Sequence, residues 1–187
     1  MRIDVAITIV IILIISYLIA IYNKFAQLRA AIEGAWADIE VQLKKRYNLI
    51  PNLVEIVKGY AKHEKETLER IVDARNAALK ASSLDEKAKA NKELHSLLGS
   101  VFALAESYPE LKANSNFLEL QKQLNKVEDD LANARRYYNA IVRDYNGRID
   151  SFPDQLIAKY FKYEKKPYFE LDENEKEQVA QTPSVKF

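Results

Sequence analysis

The chain has 187 residues, with 28 Lys and Arg against 27 Asp and Glu, for a formal net charge of +1. That balance argues against a basic nucleic-acid binder and against an acidic tail protein. Cysteine is absent, which removes disulfides, thiolate nucleophiles and Cys-ligated metals together, and four Gly and five Pro are too few for a Gly-rich phosphate loop or a turn-dense β-sandwich.

The mean hydropathy of −0.30 averages two unlike parts. Val5 to Tyr22 is an 18-residue run without a charge. As a helix it spans roughly 27 Å at about 1.5 Å per residue, close to the ~30 Å hydrocarbon core of a bilayer. It is apolar all the way round, unlike the one-sided helices of a soluble core. It exceeds the ~7–15 apolar residues of a cleavable leader, and no small-x-small pair follows before Tyr22. Residues 1–22 are therefore expected to be a short tail and an uncleaved, single-pass transmembrane anchor. Lys24 and Arg29 behind the span, against Arg2 and the α-amino group before it, lean slightly toward a cytoplasmic soluble domain.

Residues 23–169 read as a helical bundle. Phe25, Leu28, Ile32, Ala35, Ile39 and Leu43 follow 3- and 4-residue steps, and the anchor is expected to run straight into this first helix, ending near Tyr47. Asn48 then reads as an N-cap, with Pro51 in the first turn of a second helix marked by Leu49, Leu53, Ile56, Tyr60, Thr67, Ile71, Ala74 and Ala78. Ser83 with Glu86 reads as a capping box that opens a third helix through Leu94, Leu98, Val101, Ala105 and Tyr108, and Pro109 stops it. Asn116 with Glu119 reads as a second box. The fourth helix keeps the longest repeat, through Phe117, Leu120, Leu124, Val127, Leu131, Ala134, Tyr138, Ile141, Tyr145 and Ile149. Short connections make neighbours antiparallel, so the expected fold is all-α, an up-down-up-down four-helix bundle behind a transmembrane helix. An intermolecular coiled coil through the fourth-helix seam is the alternative.

The residues offer little chemistry. His63-Glu64 begins like a zinc HExxH motif, but position 67 is Thr. Neither His63 nor His95 has the Glu three residues earlier that a di-iron bundle uses. No catalytic residue, cofactor site or metal site is expected. The basic clusters Lys44-Lys45-Arg46, Arg135-Arg136 and Lys165-Lys166 lie near acids and read as solvated faces, so no nucleic-acid partner is expected. Trp36, among apolar neighbours, reads as a packing anchor.

Two stretches remain. Behind Phe152-Pro153, the residues Leu156, Ile157, Tyr160 and Phe161 make an apolar face beside Lys159, Lys162, Lys165 and Lys166. This segment, 152–169, either closes the end of the bundle or touches lipid, with Phe152, Leu156, Tyr160, Phe161, Lys165 and Lys166 as the membrane-surface contact. In an up-down topology the turns Arg46 to Asn52 and Tyr108 to Asn116 fall at the pole away from the membrane. Arg46, Tyr47, Asn48, Pro51, Asn52, Tyr108, Pro109, Lys112 and Asn116 are the expected partner-binding residues there. Residues 170–187 begin acidic, lose all periodicity and read as a disordered tail.

Several strings resemble the LemA family of bacterial membrane proteins. They are Ala35-Trp36, Val41 to Val54 (VQLKKRYNLIPNLV), Val57 to Ala61 with His63-Glu64, Tyr108 to Ala113, Asn116-Phe117, Ala134 to Asn139, Tyr145-Asn146 and Phe152-Pro153. The resemblance implies a LemA-like α-helical bundle behind one N-terminal transmembrane helix in a bacterial cell membrane. The family pattern carries no catalytic or metal residues. The expectation is a non-enzymatic interaction or scaffold module, held by the lipid bilayer and contacting a protein partner. A structural homo-oligomer built through the fourth helix, or a membrane-associated hydrolase with a carboxylate site, are the alternatives.

Overall fold

The computed structural model describes residues 2–169; the expected acidic tail lies outside the described residues. Six helices follow one another: α1 (Arg2–Tyr60), α2 (Lys65–Lys80), α3 (Leu84–Ala105), α4 (Pro109–Lys112), α5 (Ser115–Asp150) and α6 (Asp154–Tyr160), with no strand among the described residues. The all-α expectation holds. The described residues divide into two compact units, one of 2–39 with 133–168 and the other of 40–132 with 169.

In the first unit the early part of α1 leaves its apolar side chains bare: Ile3, Ile7, Ile11, Leu13 and Ile15 are all exposed. Burial begins at Ile21 and then follows the predicted stripe through Phe25, Leu28, Ile32, Ala35 and Ile39. Tyr138, Ile141, Val142 and Tyr145 supply the buried face of α5. Phe25 meets Tyr145 edge-on at 5.8 Å, and Trp36 meets Tyr138 at 5.8 Å, so Trp36 does anchor packing between helices.

In the second unit the buried residues come from five helices: Leu43, Ile50, Leu53 and Val57 of α1; Leu68 and Ile71 of α2; Leu94 and Val101 of α3; Leu111 of α4; Phe117, Leu124 and Leu131 of α5. α2 and α3 pack on each other across the short Ala81–Ser83 link, which forces them antiparallel. The expected capping box is present, with Ser83 Oγ accepting from the Glu86 amide and the Glu86 carboxylate accepting from the Ser83 amide. The α5 seam that could have served an intermolecular coiled coil is buried within the chain itself.

One boundary differs from expectation. The first helix does not end near Tyr47, and Asn48 caps nothing; α1 continues through Pro51 to Tyr60. Pro51 has no N–H for the carbonyl of Tyr47, four residues earlier. Arg75 of α2 supplies the missing donor, its Nε giving a hydrogen bond to that carbonyl at 2.9 Å. The buried stripe therefore keeps its phase from Leu43 through Tyr47, Ile50, Leu53 and Val57 to Ala61. Restarting the period at Asn48 marks Leu53, which is buried, but also Leu49, Ile56 and Tyr60, none of which is fully buried. A smaller shift occurs before α5, where the cap is Asn114 and not Asn116: Asn114 Oδ1 accepts from the Phe117 amide at 3.0 Å.

Candidate functional site

A cavity lies in the second unit, where α1 ends and α2 begins. Val54, Lys58 and Ala61 of α1 and Leu68, Glu69, Val72 and Asp73 of α2 line it, with Lys62 and Lys65 from the turn, and its volume is about 640 Å³. The lining carries cations on Lys58, Lys62 and Lys65 and carboxylates on Glu69 and Asp73, and Lys65 sits 3.6 Å from Glu69.

The turn beside this groove is tied to the connection between α3 and α5. Tyr108 donates its hydroxyl to Glu64 at 3.4 Å, and Asn114 Nδ2 donates to the Tyr60 hydroxyl at 2.9 Å. Lys112 pairs with Glu106 at 2.5 Å. Tyr108, Pro109, Lys112 and Asn116 thus lie in or next to a real connection, and the segment it is tied to is 60–64. Arg46, Tyr47, Asn48, Pro51 and Asn52 belong to the interior of α1, so the turn expected at Arg46–Asn52 does not exist. Its two most distinctive residues face inward: Arg46 is 1% exposed, and its Nε stands 3.0 Å from Glu128 of α5. Tyr47 donates its hydroxyl to Asn91 at 3.0 Å. His95 Nδ1 lies 3.3 Å from the other oxygen of Glu128. Arg46, Glu128, Tyr47 and Asn91 form a polar seam inside an otherwise apolar bundle, where each group needs a partner to offset the loss of water.

The first unit holds the aromatic and basic segment. Phe161 lies 5.0 Å from the Tyr22 ring, Tyr163 lies 5.1 Å from Phe25, and the Arg29 guanidinium stands 5.8 Å from the Tyr163 ring. Asn146 clamps the strap that follows, donating to the Lys166 carbonyl and accepting from the Lys166 amide, both at 2.9 Å. Tyr138 donates to the Pro167 carbonyl at 3.1 Å, and burial pushes its phenol above the ordinary range. Lys165 pairs with Asp150 at 2.7 Å, and Arg148 with Asp154 at 2.8 Å. Among the described residues no group of three or more His, Asp or Glu is gathered for a metal ion.

The sequence reading gives the groove residues no site role: Val54 and Lys58 appear only within the family-like strings, and Lys62 not at all. A signal for them was present: the marker residues of the expected second helix jump from Tyr60 to Thr67, a gap that α1 and α2 fill with their turn. The clamp by Asn146 has no such signal, since it joins positions 20 apart through backbone atoms.

These features define an all-α protein whose first helix has an apolar stretch long enough to cross a membrane, with a mean hydropathy of 2.9 in its most apolar window. The chain belongs to the LemA family: the model described as "LemA family" matches residues 35–187. Protein LemA of Metamycoplasma hominis is 27% identical over 141 residues, covering 73% of this chain and 63% of that protein. Magnetosome protein MamQ 2 of Paramagnetospirillum magneticum is 24% identical over 182 residues, covering 83% of this chain and 67% of the relative. Magnetosome protein MamQ of Magnetospirillum gryphiswaldense is 24% identical over 181 residues, covering 83% and 66%. The chain spans about two thirds of the length of these relatives. It is a LemA-like protein of the membrane-associated kind.

Proposed function

We propose that the chain is a membrane-anchored, non-enzymatic interaction module that holds a partner protein beside a bacterial cell membrane. The observation that carries this reading is the continuity of α1. One helix contains both the uncharged run from Val5 to Tyr22 and the wall of the groove at Val54, Lys58 and Ala61. A helix built in this way couples a bilayer anchor to a recognition surface without an intervening linker. The groove suits a partner segment with apolar side chains for Val54, Leu68 and Val72 and carboxylates for Lys58 and Lys62. Membership of the LemA family supports the membrane association; the partner follows from the groove's chemistry alone. The side of the membrane on which the groove lies leans to the cytoplasm by the positive-inside rule.

Site-specific photocrosslinking in cells tests this. A photoreactive residue at Lys62, in the groove lining, is expected to yield a discrete adduct with a second protein. The same probe at Lys89, on the exposed face of α3, should not give that adduct. Introducing Val72→Asp into the groove should abolish it. Adducts at Lys62 that contain only further copies of this chain would replace the proposal with the homo-oligomer reading.

A further inference from the structure

Helix α6 is built the wrong way round for a helix in water. Its buried residues are Asp154 and Ala158, one turn apart. Leu156 and Tyr160, also one turn apart, point outward at 56% and 80% exposure, and Phe152 extends the same row at 76%. A surface helix of a soluble bundle turns its large apolar residues inward. Here Arg148 pairs with Asp154, Ile157 is half-buried, and Leu156 and Tyr160 are left outside.

The outward row is fixed next to the end of the apolar span. Phe161 follows α6 directly and packs on Tyr22, the last residue of the uncharged run. Tyr160 meets Phe161 at 5.1 Å, and Tyr163 stacks on Phe161 at 5.9 Å. From Ile3 to Ala20 the side chains of α1 are exposed, whereas Ile21 is buried and Phe25 wholly so. The transition from bilayer-facing to protein-facing helix therefore occurs at the level of this ring cluster. Lys159, Lys162 and Lys166 are exposed beside it. Aromatic rings with flanking lysines are the side chains that the headgroup region of a bilayer accommodates.

We propose that Phe152, Leu156, Tyr160 and Phe161 form a second membrane contact, inserting into the boundary between headgroups and acyl chains of the bilayer that α1 crosses. Lys159, Lys162 and Lys166 then reach the phosphate level. The inference rests on reading the apolar stretch of α1 as a bilayer span. What it adds is a lipid-bound collar, in which α6 grips the surface while α1 passes through. Such a contact fixes the rotation of the first unit about the membrane normal, which a lone helix does not.

The test uses the full chain in lipid vesicles. Because the natural chain has no Cys, single substitutions Leu156→Cys, Tyr160→Cys, Ile12→Cys and Lys89→Cys each take one environment-sensitive fluorophore. Their positions are exposed, so the core is untouched, and matching helical circular dichroism verifies each variant. Labels at 156 and 160 should be blue-shifted relative to 89. They should be quenched about twofold more by lipids spin-labelled near the headgroup than by lipids labelled near the chain end, as for groups lying ~5–10 Å deep. The label at 12 should show the opposite preference. If 12 is quenched from the chain ends while 156 and 160 behave like 89, the collar is wrong and the span stands. If 12 is also unquenched, both fall. Labels at 156 and 160 that are shielded from an aqueous quencher yet insensitive to every spin-labelled lipid would mean that a second copy covers the face, which overturns the lipid contact.

Discussion

Pro51 would ordinarily end a helix, and the reason it does not lies in one hydrogen bond. The Tyr47 carbonyl is buried with its residue, and losing its donor without replacement costs about 1–3 kcal/mol. Arg75 provides the replacement from α2, so a sequence-distant side chain repairs a sequence-local defect. Arg75→Ala should therefore lower the urea midpoint of the detergent-solubilised chain by the equivalent of roughly 1–3 kcal/mol. In a Pro51→Ala background the amide of residue 51 becomes available to Tyr47, and the same Arg75→Ala change should cost markedly less. The two substitutions are thus coupled, and strictly additive effects in this double-mutant cycle would refute the repair. The polar seam of Arg46 and Glu128 obeys the same logic, since each charge is tolerable inside the bundle because of the other.

At the scale of elements, capping decides where α3 begins. The Glu86 carboxylate accepts from the Ser82 amide at 2.9 Å and from the Ser83 amide at 3.2 Å. These bonds, the Ser82 backbone contact first, hold its pKa below the ordinary glutamate value. A carboxyl whose pKa is lowered by folding stabilises the fold above its unfolded pKa. That stabilisation is lost as pH falls through the lowered folded value. The Glu86 carboxyl carbon, followed by NMR, should titrate below the usual glutamate range, and Glu86→Gln should flatten the acid limb of the stability curve. A midpoint at or above the ordinary value would contradict the capping role. Ser83 with Glu86 was legible because a capping box is local, complete within four residues. The stripes Phe25 to Leu43 and Phe117 to Tyr145 were legible because a 3-4 repeat survives any tertiary arrangement. The end of α1 was not, because Asn48 and Pro51 give a correct local stop signal that Arg75 overrides from outside the window. That single override moved the expected partner-binding residues Arg46 to Asn52 from a turn into the middle of a helix. It also hid the groove, whose walls are the true end of α1 and the start of α2. For the aromatic segment the sequence showed composition and spacing. Which way the large side chains of α6 faced could only come from the buried pair Asp154 and Ala158.

At the scale of the whole molecule, the near-neutral charge and the absence of Cys describe a densely charged helical protein attached to an uncharged span. Its polar chemistry is spent on holding helices together: the seam at Arg46, the clamp at Asn146 and the ties at Tyr108 and Asn114. The central claim is that the apolar start of α1 stays with the protein and fixes it in a membrane. Alkaline carbonate extraction of membranes from expressing cells, followed by intact-mass measurement of the chain, tests it most directly. The account predicts that the chain resists extraction and that its mass includes the segment from Val5 to Tyr22. A chain released to the supernatant, or one whose mass lacks that segment, would contradict it.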